Sequence, residues 1–356
     1  MAFVKLNTNK LQHNYQFLDN LFQKHDIEWG VVSKLLCGNK PYLKELLKLG
    51  NKVIMDSRIS NLKAIKSIDP EVMTVYIKPP AKRSLKSLVK YADLSFNTQL
   101  ETIKLISDEA VRQDKVHKIM IMIEMGDLRE GVMGEDFVKF YSDVFNLPNI
   151  EVYGLGTNLN CLSGIMPSHD KLIQLSLYEQ LIEAKFNKKI PWVSGGTSVA
   201  IPILLKGLIP IGNNHFRVGE TLYLGNNLIT GEGIKGMKRD VFKLYAEIIE
   251  LIEKPLVPIG EIGTNVAGES PTFDEKDIGK TSYRAILDLG LLDIGNDNLY
   301  PDDKSLKFAG ASSDMIVMDL GNNKKNYQVG DLISFKMNYM GTLSILNSDY
   351  ISKVVE

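Results

Sequence analysis

The chain has 356 residues, which exceeds the usual domain of about 100 to 200 residues and predicts one large domain followed by a smaller one. Its 42 basic and 43 acidic residues leave a formal net charge of -1, and the absence of a long basic run argues against nucleic acid as a partner. Two cysteines, no apolar N-terminal signal segment and no run of about 18 apolar residues indicate a reduced, cytoplasmic protein rather than a disulfide scaffold or a membrane protein.

Up to residue 225, short apolar runs alternate with longer amphipathic stretches, which is typical of βα units around a parallel sheet. The amphipathic stretches, such as residues 40–49 and 99–112, repeat their apolar residues at spacings of three and four, as helices do. Eight apolar runs predict a TIM-type (β/α)8 barrel over residues 1–225. They cover residues 29–33, 52–55, 72–77, 94–96, 116–124, 152–155, 191–193 and 216–218.

The pattern changes after Tyr223. Four later segments alternate in polarity or are β-branched, and Gly, Asn and Asp lie between them: residues 241–252, 281–289, 315–319 and 332–339. They predict a smaller β-rich C-terminal domain over residues 226–356. The opening residues 3–6 are a candidate strand of this second domain, and Asn7 or Thr8 is expected to cap the helix that follows.

A lysine follows the first predicted barrel strand directly. Lys34 ends the run Glu28-Trp-Gly-Val-Val-Ser-Lys34 and precedes Leu35-Leu-Cys-Gly-Asn39. A lysine has an unperturbed pKa of about 10.4, but one that is desolvated at a barrel mouth can lose its proton near neutral pH and attack a carbonyl. On its own, however, a lysine in this position more often begins a helix and points into water.

Polar residues follow the seventh and eighth strands, where barrels of this type commonly hold phosphate. Ser194-Gly-Gly-Thr-Ser198 is expected to be a loop whose glycines let the backbone approach an anion, although such runs are more often ordinary turns. Arg217 lies inside the apolar eighth strand, where a charge needs an acceptor. A salt bridge to Glu220 is as good an explanation for the charge of Arg217 in this strand as a bound ligand.

Other strands also end in polar residues. Asp56-Ser-Arg58 ends the second strand, and Thr157-Asn158 follows the sixth. Four charged residues follow the fifth strand: Glu124, Asp127, Arg129 and Glu130. Their position at a barrel mouth predicts a site, with a solvated loop as the competing interpretation.

Taken together, these segments resemble the alanine racemase family of enzymes that depend on pyridoxal 5'-phosphate (PLP), and most closely its ornithine racemase-like branch. The resemblance runs along nearly the whole chain and rests on Lys34, Asp56-Ser-Arg58, Glu124 to Val132, Ser194 to Ser198, Asn214 to Glu220 and Gly310-Ala-Ser-Ser-Asp314. It implies an amino acid racemase that works as a homodimer with shared active sites.

The resemblance also implies roles for individual residues. Lys34 would hold PLP through a Schiff base and act as the base on one face of the substrate's α-carbon. Arg217 matches the arginine that faces the pyridine nitrogen; since arginine keeps its proton, this nitrogen stays unprotonated, which restrains transamination. Arg129 matches the arginine near the phenolic oxygen, and Asn158 stands where many relatives carry a ring-stacking histidine. The implied phosphate site consists of Ser194, Gly196, Thr197, Ser198, Gly219, Glu220 and Tyr339.

Racemisation needs a second acid/base group on the other face of the α-carbon. In alanine racemase a tyrosine of the partner subunit's C-terminal domain has this role, but residues 277–284 lack a tyrosine at the matching place. Tyr283 and Ser313 are the predicted catalytic residues here, with Ser312 and Asp314 as further candidates. Tyr283 is equally well explained as a core tyrosine.

The substrate is predicted to be a basic amino acid such as ornithine, whose terminal ammonium needs a carboxylate because an unpaired buried charge is costly. Asp127, Glu130 and Glu269 are candidates for this contact, and Arg129 belongs to the same predicted substrate site. Alanine needs only a small apolar pocket, so an alanine racemase stays an alternative, as does a non-catalytic PLP-binding protein. The second domain has no cysteine for a decarboxylase, and the absence of His and Cys after His215 argues against a metal site.

Overall fold

The computed structural model describes residues 2–264, 268, 270 and 272–356, which form two compact units. One unit runs from Leu11 to Arg239, and the other combines the residues up to Lys10 with Asp240–Glu356. These units divide at Asp240, whereas the boundary between residues 225 and 226 stays a prediction. None of the described helices is long and apolar enough to cross a membrane.

Residues 226–239 stay with the barrel because they bond to its first helix. After strand β1 (Phe3–Leu6), helix α1 (Thr8–Lys24) carries the buried Asn14. Its Nδ2 donates to the Lys238 carbonyl (2.8 Å), and its Oδ1 accepts from the Lys238 N–H (2.7 Å). The sequence alone does not reveal this pairing between distant residues.

The predicted barrel is confirmed: eight parallel strands close on themselves, and β9 pairs with β2. Both faces of such strands are buried, so their sequences are continuously apolar. The strands are β2 (Glu28–Val32), β3 (Val53–Asp56), β4 (Met73–Tyr76), β5 (Leu94–Asn97), β6 (His117–Met122), β7 (Ile150–Gly156), β8 (Trp192–Thr197) and β9 (His215–Val218). A core of strand residues, including Met55, Phe96 and Trp192, packs between them.

Helices alternate with these strands. They are α2 (Lys40–Lys48), α3 (Ile59–Ile68), α4 (Leu85–Tyr91), α5 (Leu100–Arg112), α6 (Phe137–Phe145), α7 (His169–Phe186), α8 (Ile201–Leu205) and α9 (Glu220–Leu224). Side-chain caps fix several starts: Asn7 accepts from the Lys10 N–H, as predicted for α1, and Asn39 accepts from the Tyr42 N–H. Each helix returns the chain to the end of the barrel at which the next parallel strand begins.

The other unit is β-rich, as predicted. Its strands are β1 with β10 (Phe242–Pro255), β11 (Thr281–Leu287), β12 (Leu299–Pro301), β13 (Lys307–Ala311), β14 (Ile316–Asp319), β15 (Leu332–Met337) and β16 (Ser352–Val355), and its helix is α10 (Tyr339–Asn347). Strand β1 pairs with β10 and β16, which confirms that the opening residues join this domain. Strand β15 ends before Tyr339 because Asn338 caps α10.

Candidate active site

Lys34 lies at the carboxyl end of β2, where it begins a single 3-10 turn, Lys34–Leu36. Its side chain is exposed, which differs from the desolvated lysine expected from the sequence. The backbone beneath it is held by the buried Ser33, whose hydroxyl donates to Asp56 Oδ2 (2.8 Å). Burial raises the pKa of Asp56, against the lowering effect of this hydrogen bond and those from Arg58 and Asn61. The ends of β2 and β3 are thus joined directly beside Lys34.

Glu220 is the neighbour of Lys34 on the other side. Val218 pairs with Val31, and a Cβ at Gly219 would lie 3.1 Å from the Val32 carbonyl oxygen, so a glycine allows the two strand ends to approach. Burial raises the pKa of Glu220, whereas the hydrogen bond from Asn226 and the positive charge of Lys34 lower it. Lys34 and Glu220 therefore interact electrostatically.

Ser198 connects the end of β8 to the start of α9. Its buried Oγ accepts hydrogen bonds from the N–H groups of Gly219 and Thr221, both at 3.3 Å. Three residues of the predicted phosphate site, Ser198, Gly219 and Glu220, therefore come together. A hydroxyl and backbone N–H groups at a helix start are suitable donors for an anion.

The structure replaces most of the loop predicted at residues 194–198 with the end of strand β8. Ser194 to Thr197 belong to strand β8, and the register with β9 shifts between Ser194 and Gly196, which leaves Gly195 as a bulge. A Cβ at Gly196 would lie 2.0 Å from the Phe216 ring. Close packing of the two strands thus accounts for this glycine without an anion, and its place in a phosphate site stays a prediction.

Arg217 is buried inside the barrel mouth and donates to neutral oxygens. Its NH1 bonds to the carbonyl (2.8 Å) and Oγ (2.5 Å) of Ser194, and its NH2 to the Thr157 carbonyl (2.6 Å) and Asn158 Oδ1 (2.9 Å). These contacts replace the salt bridge to Glu220 that the sequence left open, and Glu220 accepts from Asn226 instead. Burial lowers the pKa of Arg217 to about 10, so the guanidinium stays charged at neutral pH.

Ser194 links Arg217 to a buried histidine. The Ser194 Oγ lies 2.8 Å from His215 Nδ1, and His215 stacks on Trp192 with ring centroids 4.0 Å apart. The Ser194 oxygen has two lone pairs, so it can accept from Arg217 NH1 with either tautomer of His215. Burial, and then the charge of Arg217, lower the pKa of His215 well below its usual value, so the ring is neutral. The Ser194 hydroxyl is thus bonded to Arg217 and His215, and its predicted phosphate contact stays a prediction.

Arg129, Glu130 and Asn158 form a second chain of contacts. Glu130 accepts from Arg129 Nε and NH2, the latter at 2.6 Å, and also from the amide of Asn158. Since Asn158 Oδ1 accepts from Arg217, hydrogen bonds run without a break from Arg129 to Arg217. The structure thereby brings together four predicted site residues from the ends of three strands: Arg129, Glu130, Asn158 and Arg217.

Asp127, a predicted substrate residue, binds the backbone of a neighbouring loop. It is only 1% exposed, and its carboxylate accepts from the N–H groups of Cys161 (3.0 Å), Leu162 (2.9 Å), Ser163 (3.2 Å) and Ile165 (3.3 Å). Burial on its own would raise the pKa of Asp127, but these donors outweigh it and lower the pKa. Asp127 therefore holds the loop after β7, and its predicted substrate contact stays a prediction.

The remaining predicted residues belong to the other unit. Tyr283 is half-buried in β11, and Tyr339 begins α10. Ser313 is exposed in a turn and donates to Asp314 Oδ1 at 3.4 Å. Glu269 lies outside the described residues. The catalytic roles of Tyr283 and Ser313 and the phosphate contact of Tyr339 stay predictions.

Two residues of the site, Ser33 and His215, are not among those predicted from the sequence. A signal for His215 was present, because it precedes Arg217 by two positions in a strand and therefore shares its face. Ser33 gave no comparable signal, because its partner Asp56 comes from a different strand.

Residues 6–227 match the protein family described as alanine racemase, N-terminal domain. The chain belongs to the alanine racemase family. Over 351 residues it is 39% identical to the ornithine racemase of Acetoanaerobium sticklandii, covering 98% of both chains. It is 31% identical to the lysine racemase of Thermotoga maritima, covering 99% of this chain and 97% of the relative.

The fold is also that of alanine racemase structures. A solved alanine racemase from Bartonella henselae with covalently bound pyridoxal phosphate is similar with a TM-score of 0.75 over 100% of this chain and 99% of that chain. Sequence identity in this comparison is 16%, so it bears on the fold alone. The family and the two-domain fold predicted from the sequence are confirmed.

Proposed function

We propose that this alanine racemase family member is a PLP-dependent racemase of a basic amino acid, with ornithine as the first candidate. The observation that carries the proposal is similarity along almost the whole chain to an ornithine racemase and to a lysine racemase. Ornithine and lysine are both α-amino acids whose side chain ends in an ammonium group. A racemase of either one therefore needs a site that binds this group.

The residues at the barrel mouth fit PLP. The Ser198 Oγ accepts from the N–H groups of Gly219 and Thr221 at 3.3 Å, so its own hydrogen can be donated to a phosphate. The buried Arg217 offers a positive charge to a ring nitrogen. Lys34 follows the strand adjacent to the one that carries Arg217. When bound, PLP supplies the electron sink that makes the α-proton of an amino acid acidic.

Residues of the chain then transfer the α-proton of the substrate and stabilise the charges around it. Lys34 Nζ removes or returns the α-proton on one face, with the Glu220 carboxylate as its electrostatic neighbour. Arg217 retains its proton, which keeps electron withdrawal through the ring weak and favours proton exchange over transamination. Tyr283 and Ser313 are our candidates for the opposite face.

Substrate choice depends on a carboxylate for the terminal ammonium. Of the three predicted candidates, Asp127 is occupied by backbone N–H groups, and Glu130 is paired with Arg129. Glu269 is therefore the candidate that we would mutate first. A Glu269→Gln variant should raise the KM for ornithine with little change in kcat.

The decisive experiment follows the α-proton directly. The protein is incubated in deuterated water with PLP and L-ornithine, L-lysine, L-arginine, L-alanine or L-serine, and NMR and chiral chromatography monitor exchange and inversion. Loss of the α-proton signal of ornithine with formation of the D-isomer is expected. Exchange of alanine in place of ornithine would indicate an alanine racemase. If the signal persists for every amino acid, the protein is a non-catalytic PLP carrier and the proposal fails.

The Schiff-base lysine is tested separately. A Lys34→Ala variant should lose the yellow absorbance and the borohydride-reducible adduct that the wild-type protein shows with PLP. Lys40, which is exposed at the start of α2, gives a matched control in Lys40→Ala. A reducible adduct that survives in Lys34→Ala would assign the cofactor to another lysine.

We further propose a cytoplasmic homodimer with shared active sites. Sedimentation of the active protein should give a dimer. Full racemase activity in a sedimenting monomer would contradict the shared site.

A further inference from the structure

Glu130 has an unusual set of partners for a carboxylate at a barrel mouth. Its side chain is only 11% exposed, and it accepts two hydrogen bonds from Arg129 and one from Asn158. Arg129 approaches through Nε and NH2, the side-on geometry in which one guanidinium binds both oxygens of a carboxylate. The Arg129–Glu130 pair has no net charge, and its guanidinium already occupies both carboxylate oxygens, which weakens the attraction of Glu130 for the ammonium of a substrate.

Asn158 extends this pair to the second arginine. Its amide donates to Glu130, and its Oδ1 accepts from Arg217 NH2 at 2.9 Å. The two neighbours fix the orientation of the amide, since Glu130 can only accept and Arg217 can only donate. Asn158 therefore connects Glu130 to Arg217 through hydrogen bonds, so the position of one affects the position of the other. These contacts differ from the ring stacking of the histidine that many relatives carry in its place.

The backbone around Glu130 is held on both sides. Asp127 binds four N–H groups of the loop after β7, and Leu128 adopts a left-handed φ of 57° that a leucine takes only when its surroundings enforce it. A Cβ at Gly131 would lie 2.1 Å from the Glu124 backbone nitrogen, so the chain is tightly packed there as well. Arg129 and Glu130 are thus presented from a fixed loop.

We propose that Glu130 is a positioning residue, which fixes Arg129 directly and Arg217 through Asn158, and that it does not bind the substrate's terminal ammonium. The inference rests on the proposed function, because Arg217 is assigned to the cofactor there and Arg129 matches the family's arginine near the phenolic oxygen of PLP. It replaces the substrate contact predicted for Glu130 from the sequence. The electrostatic effect of Glu130 on the pKa of Arg217 agrees with this coupling.

The test uses Glu130→Gln in the full-length, PLP-loaded protein. L-Norvaline has the carbon skeleton of ornithine without the terminal ammonium, so its inhibition constant reports binding that does not involve this charge. If Glu130 positions the arginines, kcat for ornithine falls about 10- to 100-fold, while the KM for ornithine and the inhibition constant of norvaline change by the same small factor. If KM rises tenfold or more with the norvaline constant unchanged, Glu130 binds the ammonium and the inference is overturned.

Two further measurements separate positioning from a general loss of structure. PLP affinity, obtained by absorbance titration of the apoprotein, should weaken about tenfold in Glu130→Gln and to a similar extent in Asn158→Ala. The double variant should lose little more than either single one, because the same chain of bonds is broken. Additive losses would contradict the connection through Asn158.

Control variants distinguish failure of this inference from failure of the proposed function. Glu135 is exposed on the same loop, and Glu135→Gln removes an equal charge without touching the chain of bonds. This control should match the wild type in kcat and PLP affinity. A wild-type protein without racemase activity would refute the function itself, whereas an active wild type with an unaffected Glu130→Gln variant would refute only the positioning role.

Discussion

Asp127→Asn is the substitution for which the structure gives the sharpest expectation at the barrel mouth. The change keeps the shape of the side chain but replaces one acceptor oxygen with an amide that can only donate. In the wild type, Oδ2 accepts from Cys161 and Leu162, and Oδ1 accepts from Ser163 and Ile165. In the variant, two of these four N–H groups would face a donor.

The size of the effect follows from the number of bonds lost. A hydrogen bond to a charged group contributes about 1.5 to 3 kcal/mol, so two of them correspond to about 3 to 6 kcal/mol. Residues 161–163 are exposed, so water can replace part of this stabilisation. We therefore expect the loop to lose about 3 kcal/mol, at the lower end of this range.

Amide hydrogen exchange, measured by mass spectrometry on a peptide that covers residues 158–168, detects these N–H groups directly. A loss of about 3 kcal/mol corresponds to exchange about 100-fold faster, because 1.36 kcal/mol is a factor of ten. Asp136, exposed on the neighbouring loop, provides the matched control Asp136→Asn, which should leave this exchange unchanged.

The effect should also have a defined pH range. The pKa of Asp127 is lower in the folded protein than the unperturbed value of about 3.9, so its stabilisation is complete above pH 4 and is lost only as the pH falls through the folded-state value. The difference between variant and wild type should therefore be constant from pH 5 to 8. Unchanged exchange in Asp127→Asn together with a selectively raised KM for ornithine would refute our argument and restore Asp127 as a substrate residue.

Three further outcomes are expected. Gly196→Ala puts a methyl group against the Phe216 ring and should lower the free energy of unfolding by about 1 to 3 kcal/mol in urea titrations; an unchanged midpoint would contradict the packing explanation. Ser198→Ala removes a hydroxyl from the proposed phosphate site and should weaken PLP binding about tenfold in titrations of the apoprotein, and equal affinity would place the phosphate elsewhere. Burial lowers the pKa of His117 to about 4, whereas an unfolded histidine titrates near 6.5, so its contribution to stability is complete above pH 6.5 and declines by up to about 3 kcal/mol towards pH 4. His117→Gln should reduce that slope, and an identical slope would show that His117 is not responsible.

The barrel could be predicted because its strands bury both faces and therefore appear as apolar runs between amphipathic helices. The length of β8 could not, since Ser194-Gly-Gly-Thr197 has the composition of a turn. The glycines at 195 and 196 are needed because side chains from another part of the chain, Asn213 and Phe216, occupy the space beside them. Local sequence does not reveal such a contact.

The site was predictable in its position and less so in its internal contacts. Strand ends brought Lys34, Arg129, Asn158 and Arg217 to one mouth, because parallel barrel strands all end on the same side. Which carboxylate is available to a ligand depends instead on the backbone N–H groups of a different loop. For that reason Asp127, Glu130 and Glu269 had equal standing in the sequence, although the first two prove to be engaged within the protein.

The neutral acceptors around Arg217 favour a ligand-binding role over a structural one. A buried arginine needs hydrogen bonds, and a direct carboxylate partner would satisfy it while cancelling its charge. Here carbonyl, hydroxyl and amide oxygens satisfy the guanidinium and leave its charge in place, and Glu130 is reached only through Asn158. Placing the anion one residue away stabilises the cation without neutralising it, so the positive charge of Arg217 is retained at the barrel mouth, as the proposed role beside a ring nitrogen requires. A direct carboxylate contact, engineered as Asn158→Asp, should therefore reduce kcat even though it adds a stronger partner for Arg217.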